Sequence, residues 1–150
     1  MDEQIEAFIK QHQAAAMTTL RRDGTPHAVR VGVGIVDGKL WSSGTLTRAR
    51  TKHLRRDPRS TLFVFDKEFR WLTLECTVTI LNGPDAPRLN LALMEEFQRD
   101  VRNESGRINW FGRNLTHEQF FDTMIQEQRL IYEFDILRAY GMYGGMPTSP

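Results

Sequence analysis

The sequence predicts an antiparallel β-sheet or small barrel with helical insertions, a mostly-β or α+β protein. Three observations predict it. Five or six apolar or alternating runs are separated by tight-turn residues, of which Asp23-Gly24 and Asp37-Gly38 are the sharpest hairpin signals. Stretches of helical period lie at the N-terminus, after the third run and between the last runs, so the chain lacks the regular strand–helix alternation of a parallel sheet. No internal repeat, linker or low-complexity tract breaks the 150 residues, which predicts one domain spanning residues 1–150.

Taken in order, residues 4–12 place Ile5, Phe8 and Ile9 on one face of a short amphipathic helix that Asp2 can cap. Residues 14–20 are small, apolar and β-branched, as in a buried strand. Pro26 closes the Asp23-Gly24 turn, and residues 27–36 alternate, with Val29, Val31 and Val33 opposite Ala28, Arg30, Gly32 and Gly34. Two glycines in one strand predict a close approach to its backbone. Residues 39–44 return as the third strand. A basic segment follows and suits one or two helical turns over 47–57, ended by Asp57-Pro58 because the residue before a proline is driven out of the α region. Residues 60–65 and 70–81 read as strands, the second with Leu72, Leu74, Cys76, Val78 and Ile80 on its core face. Leu89, Leu93, Phe97 and Val101 predict a helix over 86–102, and residues 103–114 read as an irregular loop with exposed aromatics. Thr116 with Gln119 is a capping box that opens a second helix reaching about residue 128. Residues 130–144 begin as a strand, and the tail at 146–150 is expected to be loosely docked.

Composition narrows the function classes. Hydrophobic content of 40% and charged content of 26% are ordinary for a globular domain. Twenty Lys and Arg against nineteen Asp and Glu argue against a general nucleic-acid binder. The single cysteine, Cys76, allows no internal disulfide and fits a reducing, cytoplasmic setting; its place on a core face predicts an inert thiol. No signal peptide and no membrane-spanning run is expected. His12, His27, His53 and His117 lack helical metal-pair spacing, and neither a nucleophile elbow nor a phosphate-binding glycine loop is present. No catalytic side chain and no metal site is therefore assigned. Trp110, Phe111, Tyr140 and Tyr143 are candidates for a substrate face, with at least half of them expected in the core.

The chemistry concentrates in residues 40–65. Arg48, Arg50, Lys52, Arg55, Arg56 and Arg59 crowd into a chain whose formal net charge is only +1, and Asp57 is their only acidic neighbour. A solvated charged helix is the plain reading. Against it, i,i+4 acid–base pairing is absent, hydroxyl donors Ser42, Ser43, Thr45, Thr47 and Thr51 surround the segment, and the segment enters a helix whose first amides point at any anion held there. Phosphate or polyanion binding and the solvated face stand at even odds on composition alone.

The order strand, D-G-x-P-H, strand, D-G, strand, T-x-x-R-x-R-T-K-x-L-x-x-D-P-R, strand, with R-W-L-T-L-E at 70–75, resembles the pyridoxamine-5′-phosphate-oxidase-like split β-barrel superfamily. More closely it resembles that superfamily's flavin/deazaflavin oxidoreductases, which use coenzyme F-420. The resemblance covers residues 14–82 and, loosely, the last strand. It implies a six-stranded antiparallel split β-barrel with peripheral helices, forming a homodimer with the cofactor at the subunit interface. It implies hydride transfer from reduced F-420 to a conjugated small molecule of enone, quinone or tetrapyrrole type; the alternatives are an FMN-dependent oxidoreductase of the same fold or a non-catalytic flavin- or haem-binding protein. By position it implies that Lys52 and Thr51 hold the cofactor phosphate, that Ser42 and Ser43 contact the phosphate or ribityl chain, and that Arg48 and Arg50 grip a longer anionic tail. The strand around Val31 would meet the ring edge through its backbone. The residue before Lys52 is Thr51, not the second basic residue of many pyridoxamine-phosphate oxidases, which argues against vitamin B6 oxidation.

Overall fold

The structure, a computed structural model, describes residues 1–144. Thirteen elements follow in order: α1 (Glu3–Gln11), β1 (Ala14–Leu20), β2 (Pro26–Gly32), β3 (Gly34–Val36), β4 (Lys39–Thr45), α2 (Ala49–Arg56), β5 (Arg59–Phe65), β6 (Trp71–Leu81), α3 (Ala86–Phe97), β7 (Arg107–Trp110), β8 (Arg113–Thr116), α4 (His117–Gln126) and β9 (Arg129–Met142). Seven strands form one antiparallel sheet in the order β2-β1-β5-β6-β9-β4-β3. Its two end strands, β2 and β3, are consecutive in the chain and part at Val33, so the curled sheet is a split barrel. The tail at 146–150, expected to be loosely docked, lies outside the described residues.

Strand alternation sends one set of side chains into the barrel and the other outward. Met17, Val31, Leu40, Leu62, Val64, Leu72, Leu74 and Tyr132 fill the interior, and α1 adds Ile5, Phe8 and Ile9 to the same core. The cap predicted at Asp2 forms, its side chain accepting from Ile5 N at 2.9 Å. The outward set divides in two. Over β4 and β9, Trp41 and Ile131 pack under α3, α4 and the β7–β8 hairpin, forming a second core with Leu93, Ile108, Trp110, Phe120 and Met124. On the outward side of β5 and the start of β6, Phe63, Phe65 and Trp71 form an aromatic row, with Phe63 and Phe65 exposed. Among the described residues no helix is long and apolar enough to cross a membrane.

Three sequence expectations change. The run at 27–36 is two strands, because β2 pairs with β1 while β3 pairs with β4, and the main sheet therefore has seven strands, not six. At the junction the Val33 amide leaves both ladders and donates to Gln13 O at 3.1 Å. The helix at 86–102 ends at Phe97, since Gln98 already has cap geometry. The irregular loop at 103–114 contains the β7–β8 hairpin, with Trp110 opposite Arg113 across a two-residue turn. Phe111 and Gly112 both have positive φ there, 48° and 83°, the pattern of a type I′ turn. The capping box at Thr116 and Gln119 forms as predicted.

Candidate anion-binding site

The end of β4 and the start of α2 place the basic segment against the barrel. The inward face of α2 carries Thr51 and Leu54, 0% and 3% exposed. Thr51 Oγ1 donates to Thr45 O at 2.6 Å and shares a short hydrogen bond with the Tyr132 hydroxyl. Tyr132 reaches this point because Gly44, two residues along β4 from its register partner Ser42, has no side chain; a Cβ there would sit 2.3 Å from the tyrosine ring. The helix is thus anchored by a buried polar pair, while its other face is free for charge.

Arg50 is held between protein and solvent. Its guanidinium lies 5.6 Å from the Tyr132 ring centroid, and Nη2 donates to Ser43 O at 3.5 Å. Its Nε is buried and has no hydrogen-bond partner among the described residues. Burial pushes the Arg50 guanidinium below its ordinary pKa, Tyr132 opposes that, and the neighbouring charges of Arg48 and Arg129 add to it. Arg48 caps α2 without a side-chain hydrogen bond, and the amides of Ala49 and Arg50 find no acceptor among the described residues. Arg48, Arg50 and Lys52 form no ion pair among the described residues. An orphaned buried N–H, open helix amides and uncompensated cations together fit an anionic group.

Of the remaining cations, Arg55 is exposed, while Arg56 and Arg59 are engaged elsewhere. Arg59 pairs with Asp57 at 2.8 Å, a bond that holds the Asp57 carboxyl down at about 2. Arg56 donates to Leu20 O. His53 turns away from the cluster: its Nδ1 lies 2.9 Å from Thr19 Oγ1 and its ring meets His27 edge-on at 5.0 Å.

The expected site residues therefore divide. Arg48, Arg50 and the exposed Lys52 share the start of α2. Ser43 lies beside them, with its Oγ donating to Asn90 Oδ1 at 2.6 Å. Ser42 and Thr51 face inward, and both hydroxyls are used by the protein, Ser42 Oγ on Gly32 O at 2.6 Å. Alternation along β4 puts Ser42 and Ser43 on opposite faces, which is why they do not act as a pair. Val31 is 5% exposed, so only its backbone remains for a ligand; β2 ends the strand order, leaving one of its backbone edges without a strand neighbour.

The glycines Gly32 and Gly34 do mark a close approach, but by the protein itself. A Cβ on Gly32 would lie 3.1 Å from the Phe97 ring and one on Gly34 2.9 Å from Leu93. Of the four aromatic candidates, Trp110 is 6% exposed in the second core and Phe111 is 84% exposed on the hairpin turn. Tyr140 stands edge-on to Trp71 at 6.3 Å, and Tyr143 packs against Phe8. Cys76 is buried and its thiol is pushed up to about 12 by burial, so it is inert at neutral pH as expected.

A curled antiparallel sheet that opens between β2 and β3 places the chain in the split-barrel class. The pyridoxamine 5′-phosphate oxidase family profile matches residues 1–133, and the chain belongs to that family. Over 84 residues the chain is 33% identical to the F-420H(2)-dependent biliverdin reductase of Mycobacterium tuberculosis, a match spanning 55% of this chain and 61% of that protein. Among solved structures, a conserved hypothetical protein from Mycobacterium tuberculosis superposes with a TM-score of 0.74 at 20% identity, covering 100% of this chain and 91% of the other. An F-420 reductase superposes with a TM-score of 0.64 at 16% identity, covering 89% and 94%. These superpositions bear out the split-barrel fold.

Proposed function

We propose that this protein is an oxidoreductase that binds the deazaflavin coenzyme F-420 and reduces a conjugated small molecule, of enone, quinone or tetrapyrrole type. The observation that carries the reading is the cluster of unpaired cations at the start of α2, with the partnerless buried Nε of Arg50 at its centre. FMN presents one phosphate, whereas F-420 adds a carboxylate tail, and Arg48, Arg50 and Lys52 offer more positive charge than one phosphate needs. Family membership and the name of the mycobacterial relative support the same cofactor class. An FMN-dependent enzyme on this fold is the second reading, favoured by the family match alone; a non-catalytic flavin or haem carrier is the third.

When bound, the cofactor supplies the hydride. The protein supplies position and environment. Lys52 and the open amides of Ala49 and Arg50 would hold the phosphate, since the Thr51 hydroxyl is used by Thr45 and Tyr132, and Arg48 and Arg50 would hold the anionic tail. Ser43 is the hydroxyl with access to the ribityl chain.

The outward face of β5 and the start of β6 supports a homodimer. Phe63, Phe65 and Phe69 are 36%, 60% and 84% exposed in a single chain, beside Trp71. A cavity of ≈ 500 Å³ adjoins them, lined chiefly by Ala14, Ala16, Ala28, Arg30 and Phe65. An aromatic, alanine-floored patch of this kind suits a second copy of the chain more than water.

Lys52→Ala tests the site. Cofactor affinity is expected to fall by about 1.5–3 kcal/mol, the scale of a charge-assisted hydrogen bond, with the melting temperature unchanged because Lys52 is exposed. Unchanged affinity for both F-420 and FMN would reject the assignment.

A further inference from the structure

A second group of cations gathers where α2 meets the β1–β2 hairpin. Across that hairpin Thr19 pairs with His27 and Leu20 with Pro26. Arg56 of α2 donates through Nη2 to Leu20 O, and Arg21 donates through Nη1 to Pro26 O at 2.7 Å. Three residues before Arg56, His53 places Nδ1 2.9 Å from Thr19 Oγ1 and its ring edge-on to His27 at 5.0 Å. These contacts bring two guanidinium groups and two imidazoles onto two adjacent rungs of one ladder, from three separate elements.

The charge there is uncompensated. Neither Arg21 nor Arg56 has an ion pair among the described residues. The carboxylates nearest to them in the chain are engaged: Asp23 accepts from Thr25 N and Oγ1 at 3.0 and 2.6 Å, and Asp57 is held by Arg59 at 2.8 Å. Both arginines are exposed and spend one nitrogen on a carbonyl, which leaves the rest of each fork open. Thr19 takes His53 Nδ1, so Nε2 is the ring nitrogen left over. His27 Nδ1 is buried without a hydrogen-bond partner among the described residues. Donors crowded in this way match an anion with several acceptor oxygens.

The same crowding sets the proton state. Burial, then His27, Arg56 and Arg21, hold His53 below its ordinary pKa, so its ring is neutral at neutral pH. An anion between the two forks reverses that balance, because it offsets the arginine charges and accepts from a second N–H on the ring.

We propose that the corner formed by Arg21, His27, His53 and Arg56 is a second anion site, which takes a phosphate-type oxyanion and gains a proton on binding it. The site is independent of the cofactor reading above.

Sulfate is the probe, because it stays doubly charged while histidines titrate. The full chain is titrated with sodium sulfate and, at matched ionic strength, with sodium chloride, and its histidine ring signals are followed by NMR from about pH 8 to about pH 5.5. His53→Asn and His27→Asn assign the signals. Sulfate is expected to raise the His53 midpoint by about half a pH unit or more over chloride. It is also expected to shift the His27 signals, while His12 and His117 respond alike to both salts. Arg21→Gln and Arg56→Gln are each expected to remove most of the response, and Lys52→Ala to keep it. Equal His53 midpoints in the two salts would overturn the inference, as would a response that survives in both arginine variants. A response abolished by Lys52→Ala would place the anion at the start of α2 instead, overturning the inference with the cofactor reading intact. Should an arginine variant fail to fold, the wild-type comparison of His53 with His12 and His117 decides alone.

Discussion

Arg50 and His53 sit three residues apart on α2 and respond to opposite surroundings. Arg50 is held over a ring, short of a partner, in a place where an anion completes it. His53 is surrounded by groups that disfavour its proton: burial first, then His27, Arg56 and Arg21, while Thr19 engages its Nδ1. Its folded pKa is thus below the ordinary 6.5, and the unfolded chain binds the proton more readily. This group therefore contributes stability above pH 6.5, lost as the pH falls below that value toward the folded pKa. The melting temperature of the wild type is expected to drop between neutral pH and mildly acidic pH, and His53→Asn is expected to flatten that drop. An unaltered pH profile in the variant would contradict the assignment. Residue identity alone could not separate these roles. Six cations in sequence look alike, and only the fold shows that Arg59 has Asp57, that Arg56 has a carbonyl of β1, that Arg50 reaches only the Ser43 carbonyl, and that Arg48, Lys52 and Arg55 have no such partner among the described residues.

At the level of elements, local chemistry was most legible where it is self-contained. The Asp2 cap, the Asp23-Gly24 and Asp37-Gly38 turns and the Thr116–Gln119 capping box all form between neighbours in the chain. The β7–β8 hairpin was not legible, because each strand has four residues and its turn uses Phe111 where Asn, Asp or Gly is usual. A phenylalanine in the left-handed region and 84% exposed costs the hairpin backbone energy, offset only by its edge-on contact with the Trp110 ring at 4.8 Å. Phe111→Asn is accordingly expected to raise stability by up to about 1 kcal/mol, read as a higher melting temperature; a lower one would mean that the Trp110 contact outweighs the backbone strain. The glycines of β2 and β3 show the reverse limit. The sequence signalled a close approach correctly, but what approaches is Phe97 and Leu93 of α3, more than fifty residues further on, a tertiary fact with no local trace.

For the whole molecule, the fold class followed from turn spacing and alternation, and the site's outline followed from the charge in one segment. What escaped was whatever the barrel assembles across distance: the seventh strand made by the break at Val33 and the inward turn of Thr51 onto Tyr132. The same scale governs assembly. Phe65→Asp places a charge in the aromatic row and is expected to convert a dimer to a monomer in sedimentation velocity. A wild-type protein that sediments as a monomer at all concentrations would remove the dimer from the account. The central claim is that the α2 corner is built for an anion larger than one phosphate. Its most direct test is titration of the cofactor-free protein with F-420 and with FMN under identical salt. The account predicts tighter binding of F-420; FMN binding more than about tenfold tighter than F-420 would contradict it.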